Sequence, residues 1–183
     1  AYDPAVFEGN ECFLRFLTED FFVSVCTKLY RRNLLENQPF RTGVYHEDEF
    51  WTYRVFSKAR KACRVPYTGY YYYQRQGSIV HTSPSYKRLS DAFDAAKERM
   101  DFIELQYPQY ASVGYTKAMS TCMYLYNKAE RGDFPEKSAL QEELLSFFRI
   151  LFEKYLRRRQ YQKFMWRFCF FRLFPKAYCR RFY

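Results

Sequence analysis

The sequence predicts an α+β fold that is predominantly helical, with a small mixed part ahead of a helical part. Three observations carry this. After Pro84, the stretches 85–106, 109–131 and 136–157 read as helices, broken near Pro108 and at "RGDFP" (131–135). Before Pro84, helical patterning is mixed with short β-branched and aromatic runs. Glycine is scarce, at 6 in 183 residues, which argues against a sandwich or barrel with many tight turns. A hydrophobic share of 48% and an aromatic share of 22% provide for a sizeable core and exclude a disordered chain.

In chain order, "AVFEGNECFLRFL" (5–17) reads as a helix with Phe7, Leu14 and Leu17 on one face. "FFVSVCTKLYRRNLLEN" (21–37) mixes a β-branched run with a short helical piece, and "GVY" (43–45) reads as a strand end. From Glu47 a helix is expected. Trp51, Val55, Ala59 and Ala62 recur at helical spacing, and Lys58, Arg60 and Lys61 fall in the last turn, where the dipole favours cations. "CRVPY" and "YYYYQRQ" read as extended segments around Pro66 and Gly69. The tyrosines at 70–73 alternate in a strand in this reading, two rings facing the core. A last basic, aromatic helix is expected from about residue 158 to 174, stopped by Pro175.

The net charge is +10, and its distribution is uneven. Residues 154–183 hold ten cations and no acid; subtracting these from the 30 basic residues leaves 20, against 20 acidic, over the rest of the chain. A neutral body with a cationic tail is unlike a uniformly basic nucleic-acid binder, so nucleic acid is not an expected partner. The six cysteines form no CxxC and have no histidine cluster, so zinc is not expected; they read as reduced core cysteines of a cytosolic protein. No signal peptide and no bilayer-length apolar run are apparent. The start without methionine suits a piece of a longer protein.

"GVYHEDEFW" (43–51) carries the chemical question. Acids at a helix start meet unsatisfied N–H groups and the positive dipole end, each worth roughly 0.3–1 kcal/mol. The same carboxylates also suit a general base at the mouth of a cleft, since a free aspartate titrates at about 3.9 and is ionised at neutral pH. The two roles are compatible.

The neighbouring segments narrow the choice. "VCTKLYRRNLL" (25–35), "GVYHEDEFW" and "VPYTGYYYYQRQGSIV" (65–80) stand in an order and spacing that resembles the C-terminal half of the catalytic domain of family-2 glycosyltransferases of GT-A fold. These are enzymes of bacterial surface polysaccharide synthesis. The family has "NKLYRRxLL", then "F…G…YxEDExF", then "PLYYYRxRxGSI". Matching residues here include Lys28 to Arg31, then Phe40, Gly43, Tyr45 and Glu47 to Phe50, then Pro66, Tyr70 to Tyr72, Arg75 and Gly77 to Ile79. The likeness covers roughly residues 8–106. It implies a partial GT-A domain lacking its nucleotide-binding half, with residues 1–106 as the acceptor-side part and 107–183 as a helical extension.

By this resemblance, Asp48 is the general base that takes a proton from an acceptor sugar hydroxyl. That hydroxyl then attacks and inverts the anomeric carbon of a nucleotide-sugar donor. Glu47 orients the acceptor or the helix end. Arg75 and Ser78 stand where the family places a loop near the donor diphosphate, and arginine's forked donors suit phosphate; Arg75 also reads as a solvated loop residue. Lys28 is either a cation of the acceptor cleft or a snorkelling surface lysine. Tyr72 belongs to a run that reads as sugar-stacking or core. His81 is a candidate for the metal shell and His46 for ordering Asp48. A divalent cation, Mg²⁺ or Mn²⁺, is implied for the intact enzyme. The chain has Thr27 where the family has Asn, and it has no "DxD". The main metal ligands are therefore not expected here, nor is sugar transfer by these 183 residues alone.

In the tail, Arg159, Lys163 and Arg167 share a helical stripe beside Tyr161, Phe164, Met165 and Phe168. Such a segment reads either as docking on anionic lipid at the inner membrane face or as packing its aromatics on the body. A cytoplasmic protein, peripheral at that face, is the expectation. The alternative to the enzyme is a non-catalytic helical module binding an anionic membrane or acidic partner through residues 154–183.

Overall fold

The computed structural model describes residues 3–18, 23–73, 75, 84–158 and 165–183. Among these residues it has seven α-helices and one two-stranded antiparallel sheet, a predominantly helical α+β protein. The chain divides into two compact units, residues 1–82 and 83–183. The motif-based division falls later, after residue 106.

In the first unit, β1 (Ala5–Glu8) pairs with β2 (Lys61–Arg64), Ala5 opposite Arg64 and Glu8 opposite Lys61. The stretch 5–17 is therefore not one helix. Gly9 turns the chain at φ +56°, a conformation glycine reaches without penalty, and its N–H donates to the Arg60 carbonyl at 2.9 Å. Phe7 is buried from the strand, and α1 (Asn10–Thr18) follows. α1 buries Cys12, Phe13, Phe16 and Leu17. It packs on α2 (Glu47–Lys58), where Phe16 stacks on Phe56 at 5.3 Å.

α2 stops at Lys58, short of the expected Ala62, because β1 offers a ladder in which Ala62 pairs with Phe7. Residues 43–45 form no strand; Gly43 turns there at φ +73°. Of the segment 21–37, residues 23–37 hold two single 3₁₀ turns, Val25–Thr27 and Arg32–Leu34. The tyrosine run is corrected too. Residues 65–73 form no strand, and all four tyrosines are exposed, Tyr71 by 86%. Pro4 and Pro66 flank the open end of the ladder, and neither has an N–H to extend it.

The second unit is helical. α3 (Tyr86–Gln106), α4 (Ala111–Arg131) and α5 (Lys137–Arg157) lie close to their expected bounds. The Ser85 hydroxyl caps α3 by accepting the Arg88 N–H at 3.4 Å. Gly114 of α4 lets Met100 and Ile103 of α3 approach to 3.0 and 3.1 Å of where a Cβ would stand. α5 buries Leu140, Leu144, Phe148, Leu151, Phe152 and Tyr155, the period of one helix face. Glu104 joins three helices: it accepts from the Tyr115 hydroxyl at 2.7 Å and from Lys154 Nζ at 2.8 Å.

The tail continues this core. α6 (Met165–Leu173) places Phe171 at 5.0 Å from Phe148 and 5.5 Å from Tyr126, between ring centroids. Pro175 follows the end of α6, as expected, but it also opens a further helix, α7 (Pro175–Phe182). Its missing N–H costs nothing at a first helical position. Tyr178 of α7 is buried 5.6 Å from Phe171. Arg159, Tyr161, Lys163 and Phe164, which complete the expected tail stripe, lie outside the described residues. Of the cysteines, Cys12, Cys122 and Cys179 are buried, but Cys26, Cys63 and Cys169 are exposed and so are not core residues. Among the described residues, no helix is long and apolar enough to cross a membrane.

Candidate active site

The first turn of α2 holds Glu47, Asp48 and Glu49, each differently placed. Glu47 is exposed and Asp48 half-buried. The Glu49 N–H donates both to Asp48 Oδ1 and to the His46 carbonyl, each at 2.9 Å. His46, ahead of the helix, sits in the left-handed region at φ +59°, and its side chain makes no capping hydrogen bond. Burial, then the charges of Glu49 and Glu47, push the Asp48 carboxyl above its ordinary pKa; the Glu49 N–H and His46 pull it back only partly.

Two α2 residues fix this turn against the loop that precedes it. Trp51 Nε1 donates to the Gln38 carbonyl at 2.7 Å, and the buried Thr52 hydroxyl donates to the Val23 carbonyl at 2.8 Å. The Trp51 ring also stacks on Phe40 at 4.5 Å and meets the edge of Tyr30 at 5.4 Å. The segment 23–40 is thereby pinned beside the start of α2, bringing Lys28 and Cys26 into the field of Asp48.

Lys28 is half-buried. Burial lowers its pKa, against the charges of Asp48 and Cys26, which favour the ammonium. Its Nζ donates to the Ser24 carbonyl and, at 3.3 Å, to the Thr27 hydroxyl. Cys26 Sγ lies 3.4 Å from the Ser24 hydroxyl, and hydrogen bonds from Ser24 and Tyr70 lower its thiol pKa. Tyr30 is pushed up to about 12, first by burial and then by the charges of Cys26 and Asp48. Its hydroxyl is buried and makes no hydrogen bond among the described residues.

Of the residues singled out from sequence, Asp48, Glu47 and Lys28 come together. Tyr72 stands at the edge of the group, 6.4 Å ring to ring from Tyr70. Arg75 is exposed. Ser78 and His81 lie outside the described residues. Among the described residues, no group of three or more His, Cys, Asp or Glu is placed to hold a metal ion, so these residues do not themselves fit the implied divalent cation. Sequence reasoning passed over Cys26, which meets Tyr70 of the third motif segment across the fold. It also passed over Trp51 and Thr52 as positioning residues. The tryptophan was visible only as a core residue at helical spacing, and nothing in the sequence pointed to the others.

The site thus offers a carboxylate of raised basicity, a nearby ammonium, and exposed tyrosine rings at its rim. A search of protein-family models, curated proteins and solved structures found no match to the chain.

Proposed function

We propose that the chain is the acceptor-side part of an inverting family-2 glycosyltransferase of GT-A fold, with Asp48 as general base. One observation carries the proposal: each of the three motif segments contributes a residue to one cluster. Lys28 comes from the first segment, Asp48 from the second and Tyr70 from the third, linked through Cys26. Segments that merely shared a composition would have no reason to meet there.

In the proposed reaction, a sugar hydroxyl of the acceptor approaches the Asp48 carboxylate. As its oxygen bonds to the anomeric carbon of the donor, its proton passes to Asp48. The anomeric carbon–oxygen bond to the nucleotide diphosphate breaks on the opposite face, its electron pair leaving on the phosphate oxygen. Raised basicity improves the match between carboxylate and hydroxyl as the proton becomes acidic in the transition state. The charge of Lys28 favours the ionised carboxylate, against the burial that disfavours it. The exposed tyrosines 70–73 offer flat faces to the acceptor sugar. A cation balancing the departing diphosphate would need carboxylates beyond these 183 residues.

The test is Asp48→Asn in the intact protein. Transfer from the nucleotide sugar should fall by about 10²–10⁴-fold, while donor binding, measured calorimetrically, stays unchanged. Persisting turnover would exclude Asp48 as the base.

A further inference from the structure

A second surface, on the other unit, owes nothing to the sugar-transfer proposal. α6 and α7 are joined by one residue, Phe174, so the chain turns a tight corner there. Leu173 and Phe174 protrude at that corner, 68% and 57% exposed. Behind it lies an open basin of about 700 Å³, walled by Tyr126 of α4 and by Phe174, Lys176, Arg180 and Arg181.

The charges around the corner are of one sign. Residues 165–183 contain five cations and no acid. Two of the five are engaged: Arg167 Nε donates to the Tyr178 hydroxyl at 2.8 Å, and the Arg172 guanidinium lies 5.2 Å from the centre of the Phe152 ring. Lys176, Arg180 and Arg181 are exposed, and no carboxylate among the described residues forms an ion pair with them. The nearest acid on α4, Glu130, instead accepts from Gln141 at 2.8 Å.

An exposed leucine and phenylalanine beside three unpaired cations suit one kind of partner. A polyanion such as nucleic acid would satisfy the charges but leave Leu173 in water, since an aliphatic side chain has no face on which a base can stack. A bilayer surface satisfies both, with phosphates at the level of the cations and an acyl boundary just below. We propose that the α6–α7 corner docks on an anionic phospholipid surface. Leu173 and Phe174 enter the boundary between headgroups and acyl chains, and Lys176, Arg180 and Arg181 hold headgroup phosphates in the basin.

Vesicle flotation of the full chain tests this. Vesicles of equal parts phosphatidylglycerol and phosphatidylcholine should carry the chain upward, and vesicles of phosphatidylcholine alone should not. Neutralising all three basin cations together, by Lys176→Gln, Arg180→Gln and Arg181→Gln, should weaken partitioning about 100-fold, roughly fivefold per charge. Leu173→Ser with Phe174→Ser should weaken it by about tenfold or more at unchanged charge. All five positions are exposed, and unchanged helical circular dichroism verifies that the variants fold. Equal flotation on both vesicles would overturn the proposal, as would flotation of either variant like the parent. Displacement by inorganic phosphate or duplex DNA at constant ionic strength would overturn it as well, because the site would then belong to a soluble anion.

Discussion

Asp48 is held in a place that favours its protonated form. Burial and two flanking glutamates raise its pKa, while the Glu49 N–H only partly compensates. In the window between the unfolded and folded pKa values, the native chain binds more protons than the unfolded one. Stability therefore falls as pH rises through that window, and the loss persists above it. Asparagine cannot ionise and still offers Oδ1 to the Glu49 N–H. Asp48→Asn is accordingly expected to raise the urea midpoint at neutral pH, reflecting a gain in unfolding free energy of under about 1 kcal/mol for a partly exposed group. The gain should vanish in acid, below about pH 3.9. The same change removes the charge that supports the Lys28 ammonium, so Lys28 should titrate lower in the variant, which an NMR titration of its side chain reads directly. A more stable but inactive variant is the combination expected of a group kept for chemistry.

Glu104 shows the opposite balance between helices. Burial raises its pKa, but hydrogen bonds from Lys154 and Tyr115 and the charges of Lys154 and Arg158 outweigh it and lower the carboxyl. Its contribution to stability is present above the unfolded carboxyl pKa and is lost as pH falls through the folded one. Lys154→Met should cost about 0.5–1 kcal/mol at neutral pH, since the pair is partly exposed, and nothing once Glu104 is protonated. The three long helices on which this network rests were legible because their buried residues recur with one period and their ends carry Pro108 and Pro135. The elements that sequence patterning missed depend on partners distant in the chain. Residues 5–8 became a strand only because residues 61–64 lie alongside them, and Ala62 left the helix pattern for the same reason. α7 was hidden because Pro175 reads as a stop, although proline fits a helix start equally well. At the candidate site, Asp48 and Lys28 were legible as chemical types in motifs. Tyr30 and Tyr70 were legible as motif positions, whereas Cys26 became part of the site only through contacts across the fold.

Taken whole, the molecule is uneven in how well each unit covers itself. The second unit draws a core of Ala95, Met119, Leu144, Phe148, Phe171 and Tyr178 entirely from α3 to α7. Residues 83–183 made alone are therefore expected to give a helical spectrum and a single cooperative thermal transition; a broad, non-cooperative melt would show that the first unit is needed. The first unit leaves Tyr67 and Tyr70 to Tyr73 in solvent, an aromatic surface that favours self-association when nothing covers it. The units also differ in the separation along the chain of the segments they join. α3 packs chiefly on α4, α4 and α5 on each other, and α6 on α7, whereas β1 must wait for β2, some 53 residues later. During synthesis, the helical unit can close helix by helix as each leaves the ribosome tunnel. The strand pair must keep an unpaired edge open until residue 64 has emerged. During that interval the open strand edge is a surface for a chaperone to cover.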